Sequence, residues 1–380
     1  MTANSGFFES PQAAAVYKHK LIKTYEPAFV GKVGSTAAGG RVHVYDAYAG
    51  PGRYENLEPG SPELLVDTAV AMAGLRSVRT LFSDKEPDYC ARLRKMLAEK
   101  GVDPASYTVL EGPVDDHVDR VLRDVGEDPL FVFLDPFGLT IPFDRVVHLL
   151  KSRDVSGRHS MHQPKTELLM NFSYEAVRRI AGVVRSDKDY AAKQGQLDAL
   201  DRALGGDWWR PIALAEKDGW VSEILSGFAN RVMKAVGNCG YITADVADSL
   251  SAQPVYELIL FTRHPDGFWK MAEAMSLARK EWRQWLVDRK ESEAGQTELR
   301  GLDWADNETA WIEEIAENIR TILSGTQGFT VQDKLGAVLG RTLGLARETH
   351  IRKALRLLKA EGVVAAVPTG SLQRAYIARK

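Results

Sequence analysis

The sequence predicts an alternating α/β fold: a doubly wound sheet of parallel strands with right-handed connections. Three observations carry this. Short apolar runs of strand length alternate with stretches of helical periodicity between residues 42 and 172. The runs are continuous rather than alternating in polarity, as in strands buried on both faces. Acids or glycine turns close several of them, at the carboxyl ends where open α/β sheets bind ligands.

Val42-His-Val-Tyr-Asp-Ala-Tyr-Ala-Gly-Pro-Gly52 is the central stretch. A β-branched strand runs into Asp46 and then into a small-residue turn, Ala49-Gly-Pro-Gly52, whose glycines let backbone approach a ligand closely. Ahead of it, Ala13, Val16, Tyr17, Leu21, Ile22 and Tyr25 recur at helical spacing. Lys18, His19, Lys20 and Lys23 interrupt that stripe, Pro27 is expected to end the helix, and Gly31 to Gly40 reads as a loop. Ser61 is an expected N-cap with Pro62 at the first helical position, leading into 63–74.

Further strands are expected at 79–83, 107–110, 130–134 and 168–172, ending in Asp84-Lys-Glu86, Glu111-Gly-Pro-Val114, Asp135-Pro-Phe-Gly138 and a helical stretch. Helices at 87–100, 115–125 and 144–150 separate them. Residues 174–220 read as a helical insertion, in which Trp208 and Trp209 read as packing, with a stacking platform as the other reading. A helix at 228–236 and a hairpin of strands at 241–247 and 256–262 follow. Five parallel strands with a hairpin at one edge is the layout of the class I methyltransferases, a Rossmann-like fold. The first domain is therefore drawn over 1–290 and a charged linker over 291–307.

The last stretch, 308–380, changes character. Three helices followed by a hairpin at 363–367 and 374–378 give a winged-helix pattern. Arg352, Lys353, Arg356 and Lys359 on the third helix and Arg374 on the wing suit a nucleic-acid backbone. A protein-interaction module is the alternative.

Composition narrows the function classes. With 380 residues, 44% hydrophobic and 26% charged, the chain is of ordinary globular make-up and long enough for two or three domains. A net charge of −2 gives no global signal for nucleic acid or membrane. Two cysteines are too few for a disulfide framework, and no His-x-x-x-His pair suggests a metal. No signal-peptide pattern or long apolar run is present, so a cytoplasmic protein without membrane spans is expected.

Taken as a methyltransferase, the strand ends divide the work. Asp46, Tyr48, Ala49, Gly50 and Gly52 would hold the methionine end of S-adenosylmethionine, and Ser61 and Lys85 are further candidate cofactor-binding residues. Asp84 would accept hydrogen bonds from the ribose hydroxyls, and Gly112 and Val114 would border the adenine. Asp135-Pro136-Phe137 would receive an exocyclic amine: the carboxylate and the proline carbonyl accept its hydrogens, the ring stacks on the base, and the gain is mainly orientation. Arg53 beside Tyr54 could contact nucleic-acid phosphate or simply cover the turn.

Tyr17-Lys-His19, Tyr45-Asp-Ala-Tyr-Ala-Gly-Pro-Gly-Arg-Tyr54, Pro59-Gly-Ser-Pro62 and Leu134-Asp-Pro-Phe-Gly138 together resemble the three-Cys-motif partner (TcmP) family of bacterial proteins. The likeness covers most of the chain. More distantly, the first half resembles the ribosomal RNA large subunit methyltransferase J family, which makes N6-methyladenine. That second resemblance implies a catalytic Lys18 and a cofactor-side His19 folded over the site. Tyr48 stands where that family has His, and Phe137 where it has a second Pro. The first resemblance implies a three-cysteine-motif protein as partner. The expected function is methylation of an exocyclic amino group of a nucleic-acid base in RNA or DNA. The alternative is a non-catalytic, methyltransferase-like partner protein that binds nucleic acid or protein through its winged helix.

Overall fold

Continuous apolar strands can be satisfied only inside a sheet covered on both faces, and that is where they lie. The computed structural model of the chain describes residues 13–136, 138–151, 165–186, 191–249, 252–294 and 304–380. The chain groups into two units: residues 1–14 with 26–263, and residues 15–25 with 264–380.

Helix α1 (Ala13–Gly34) supplies residues to both units. It does not end at Pro27, which lies inside it. A helix-interior proline costs roughly 3 kcal/mol through its missing N–H and its clash with the preceding turn. Tyr25, Phe29 and Val30 remain buried across the interruption, and that burial offsets the loss. The loop expected from Gly31 therefore begins only after Gly34.

In the first unit, β1 (Arg41–Asp46) is followed by α2 (Ser61–Met72), β2 (Ser77–Asp84), α3 (Pro87–Glu99), β3 (Tyr107–Glu111), α4 (Val114–Val125), β4 (Leu130–Leu134), α5 (Phe143–Lys151) and β5 (Thr166–Ser173). Helices α6 (Tyr174–Arg185), α7 (Lys193–Leu204) and α8 (Arg210–Ala215) occupy the stretch read as an insertion, and α9 (Trp220–Val236) leads to β6 (Gly240–Val246) and β7 (Tyr256–Thr262). The seven strands run in the order β3-β2-β1-β4-β5-β7-β6. β1 to β5 are parallel, and β7 is antiparallel to both β5 and β6. This is the Rossmann-like layout of class I methyltransferases, with the edge hairpin where the sequence put it. Reversal of strand order between β1 and β4 opens the crevice in which such sheets bind ligands.

The core follows from the sequence pattern. All five side chains of β4 are fully buried, each contributing about 2 kcal/mol of apolar burial. The tryptophan pair packs. Trp209 is buried and donates its Nε1–H to Asp201 Oδ1 at 2.8 Å. Trp208 donates to the Leu204 carbonyl at 2.9 Å, beneath the Arg231 guanidinium, 4.5 Å from its ring.

In the second unit, α10 (Pro265–Ala294), α11 (Trp304–Gly325), β8 (Gly328–Thr330), α12 (Leu335–Leu339), α13 (Glu348–Ala360) and β9 (Tyr376–Ala378) follow one another. The long helix α10, read from sequence as closing the first domain, groups with this unit. Of the linker read over 291–307, residues 295–303 lie outside the described residues. The expected hairpin between 363–367 and 374–378 is not formed as such. β9 pairs antiparallel with β8, and Val364 meets Arg379 through a single bridge. A pairing to a strand so far back in the chain leaves no local signal. Asp266, at the start of α10, accepts from Gln332 Nε2 at 2.7 Å and from the Gln373 amide, tying together the segments that follow β8 and precede β9, at one end of that small sheet.

Among the described residues, no helix is long and apolar enough to cross a membrane.

Candidate active site at the strand ends

The turn after β1 is built by backbone hydrogen bonds to its neighbours. Ala47 N–H donates to the Phe133 carbonyl of β4, and Ala49 N–H to the Ser83 carbonyl of β2, both at 3.0 Å. The Ser83 hydroxyl donates to the Ala47 carbonyl at 3.0 Å. These bonds draw the turn across the ends of β2 and β4. Gly50 and Gly52 adopt φ of +62° and +87°. At that φ a side chain is strained, and a Cβ at Gly52 would also stand 2.7 Å from Met96 Cε and 3.0 Å from Leu93 Cδ1, so the position favours glycine.

Asp46 is fully buried at the end of β1. Its Oδ1 accepts from the Tyr48 amide at 3.2 Å and its Oδ2 from the Ser61 hydroxyl at 2.7 Å. Ser61 is thus not the N-cap of α2, as expected from its type. Gly60 is the N-cap residue, and the serine hydroxyl is spent on Asp46. Ser61 is itself the first helical residue, one position too far along to cap, and its hydroxyl is left to donate to Asp46.

Asp84 closes β2. Its Oδ2 accepts the Gly50 N–H and its Oδ1 the Glu86 N–H, each at 2.9 Å. Burial raises its pKa above the usual carboxylate value, against the pull of those two amides. Each oxygen keeps a lone pair for a further donor. The Gly112 amide donates to the Asp84 carbonyl at 3.0 Å, at a φ of +127°, and Val114 opens α4 with its side chain buried. Lys85 lies 71% exposed, 3.6 Å from Glu86.

Tyr48 is half-buried, and its hydroxyl accepts from Thr140 Oγ1 at 3.3 Å, joining the loop after β1 to the loop after β4. Burial pushes its phenol up to about 12, so it stays protonated at neutral pH. Asp135 follows β4 directly. Its Oδ1 accepts from Asn171 Nδ2 at 2.9 Å, and Pro136 is buried beside it. Phe137 lies outside the described residues. Gly138, at φ of +92°, comes within van der Waals distance of Ala176 on α6, 3.7 Å from its would-be Cβ.

Asp46, Tyr48, Ala49, Gly50, Gly52, Ser61, Asp84, Gly112, Val114, Asp135 and Pro136 therefore gather at the carboxyl ends of four adjacent strands. Asn171 joins them and was not singled out from the sequence. Its signal was legible: one polar residue inside the apolar run Leu168-Leu-Met-Asn-Phe172, at a strand end. Among the described residues, no three His, Cys, Asp or Glu side chains are arranged to hold a metal ion.

Lys18 and His19 belong to the part of α1 that groups with the second unit. Lys18 is buried, and burial, then Lys18 and Lys23, push the His19 imidazole down to about 3. That ring is neutral at pH 7 and a weak base.

The cations expected to meet nucleic acid divide into two groups. Arg53 is clamped bidentate on Glu63, with both bonds at 2.6 Å. Arg352 binds Glu348 at 3.1 Å through Nε, the Pro368 carbonyl at 2.7 Å through Nη1, and the Gly370 carbonyl. Lys353 donates to Glu308 at 2.8 Å, and Arg374 lies 3.8 Å from Asp266. Arg356 and Lys359 are exposed on the outer face of α13.

No protein-family model matches this sequence, and no curated protein does. Among solved structures, similar ones include protein LPL1258 from Legionella pneumophila, at 11% identity and a TM-score of 0.38, covering 76% of this chain and 93% of that one. Another is the plantazolicin methyltransferase BamL with SAH, at 8% identity and a TM-score of 0.35, covering 66% and 85%. A third is a rRNA-methylase described as putative from Clostridium thermocellum, at 12% identity and a TM-score of 0.33, covering 67% and 98%. Likenesses this remote add nothing to what the strand order itself says about the fold.

Proposed function

We propose that the chain is an S-adenosylmethionine-dependent methyltransferase acting on an exocyclic amino group of a base in RNA or DNA. One observation carries this reading: Asp46, Asp84 and Asp135 stand at the ends of β1, β2 and β4, around a turn whose backbone favours glycine at position 52. The residues fit the cofactor. The glycine turn gives a bare backbone surface for its charged amino-acid end. Asp84 has lone pairs left for two ribose hydroxyls, and Gly112 and Val114 border the space beyond. S-adenosylmethionine would supply an electrophilic methyl on a sulfonium.

Asp135 would accept a hydrogen from the amine and so aim its lone pair at that carbon. Transfer would be direct and in line, the N–C bond replacing the S–C bond, with the amine's proton lost to water and no methyl carried on the enzyme. Cys90 Sγ donates to the Asp84 carbonyl at 3.4 Å, and burial raises the pKa of both thiols, which argues against a thiolate nucleophile. Arg356 and Lys359 on α13 would contact phosphates, in a C-terminal unit we read as a winged helix. The resemblance stated above supports a three-cysteine-motif protein as partner, and the two free cysteines suit a cytoplasmic setting.

A second reading has its own support. Arg352 and Lys353 are already occupied by acids or carbonyls of this chain, and Arg374 lies 3.8 Å from Asp266. That pattern suits a C-terminal unit that binds protein, with the methyltransferase-like unit acting as a scaffold.

The test is labelled methyl transfer from S-adenosylmethionine onto total RNA and DNA, followed by nucleoside analysis. The wild type is expected to label an N-methylated base. Asp135→Ala is expected to abolish labelling while calorimetric binding of S-adenosylmethionine stays intact. Equal labelling by that variant rejects the amine-orienting role, and no labelling by a wild type that binds the cofactor favours the scaffold.

A further inference from the structure

β5 is apolar from Leu168 to Phe172 except at Asn171. Its neighbour Met170 is in register with Leu134 of β4, so Asn171 and Asp135 occupy matching positions one residue further along adjacent strands. Asn171 is only 9% exposed, and its Nδ2 donates to Asp135 Oδ1 at 2.9 Å. Its own Oδ1 is buried and has no hydrogen-bond partner among the described residues.

The amide orientation explains that orphan. Turning the group over would set its carbonyl oxygen against a carboxylate oxygen, so donating to Asp135 leaves the carbonyl without a donor. A buried acceptor without a partner is destabilising. A leucine here would continue the apolar run and remove the orphan, while Asp135, half-exposed, could be hydrated instead. Stability alone does not account for an asparagine at this position. What it gains is a fixed donor on the acid that the amine is to meet.

We infer that Asn171 is a positioning residue for Asp135: its N–H occupies one carboxylate oxygen, holds the group as an acceptor, and fixes its rotation for the target amine. The inference rests on the amine-methylation reading and deepens it, since orientation then depends on a pair of residues rather than on one.

The test uses the full chain, labelled S-adenosylmethionine and the nucleic acid that the wild type labels. In Asn171→Leu, kcat is expected to fall on the order of 100-fold, the scale of a misoriented reacting group. The Kd for S-adenosylmethionine should be unchanged, and the Tm unchanged or higher. A merely structural asparagine would instead lower the Tm along with activity. Asn171→Asp adds the sharper readout. Once ionised, the new carboxylate repels Asp135, and once protonated it can donate as the amide did. Its rate should therefore fall as pH rises through the titration of the introduced carboxyl, a limb absent from the wild type. A fully active Asn171→Leu, beside an active wild type and an inactive Asp135→Ala, overturns this inference alone. So does an Asn171→Asp whose pH profile matches the wild type. A wild type that binds S-adenosylmethionine and methylates nothing overturns the amine-methylation reading and this inference with it.

Discussion

The strand-end site and helix α13 of the C-terminal unit both carry charges that drew attention in the sequence, yet different kinds of partner hold them. At the strand ends neutral donors reach each acid: an amide and a hydroxyl at Asp46, two amides at Asp84, an asparagine at Asp135. Neutral donors orient a carboxylate without cancelling its charge, and they leave lone pairs for a ligand. In the C-terminal unit, Arg352 and Lys353 are paired with Glu348 and Glu308. An ion pair consumes charge and donors together.

Substitutions test this contrast. The largest effect is expected at the turn that neutral donors assemble. Gly52→Ala combines a positive φ with a 2.7 Å approach to Met96. It should destabilise the fold by about 1–3 kcal/mol and abolish S-adenosylmethionine binding, read by denaturant unfolding and calorimetry. Normal binding in a folded Gly52→Ala protein would remove the turn from the site.

Glu26 is the next test, a buried acid whose recorded hydrogen bond is to a neutral hydroxyl, that of Thr68. Burial pushes its carboxyl from 4.5 up to about 8. The folded state therefore holds a proton that the unfolded chain loses first. Stability should be full below about pH 4.5 and decline as pH rises toward 8. Glu26→Gln should remove that decline, raising stability at pH 8 by a few kcal/mol while changing little at pH 4. Parallel pH–stability curves for the two proteins would refute this.

In the C-terminal unit the two kinds of cation should separate. Arg352→Ala frees the carbonyls of Pro368 and Gly370 and should cost about 1–2 kcal/mol of stability. Arg356→Ala with Lys359→Ala should leave the Tm in place and lower the salt slope of nucleic-acid binding by about two. If only Arg352→Ala alters binding, the reading of the outer face is reversed. The smallest effect is expected at Lys85, 71% exposed. Lys85→Ala should change the Kd for S-adenosylmethionine less than about threefold, because an exposed charge is screened.

The sequence carried much of this protein in advance. Continuous apolar runs specify strands buried on both faces, and their alternation with helices specifies a parallel sheet, because burial and handedness leave few other arrangements. Acids beside glycine turns marked the strand ends for the same local reason: only glycine takes the required φ. Partnership was not legible. That Ser61 serves Asp46 rather than its helix, that Asn171 faces Asp135, that Arg53 is locked on Glu63 and that β9 pairs with β8 all depend on atoms brought together from distant positions. Propensity acts along the chain, whereas hydrogen bonds and ion pairs act through space. Residue types could be named from the sequence, but which of them still had an open lone pair or a free charge was decided only by tertiary structure.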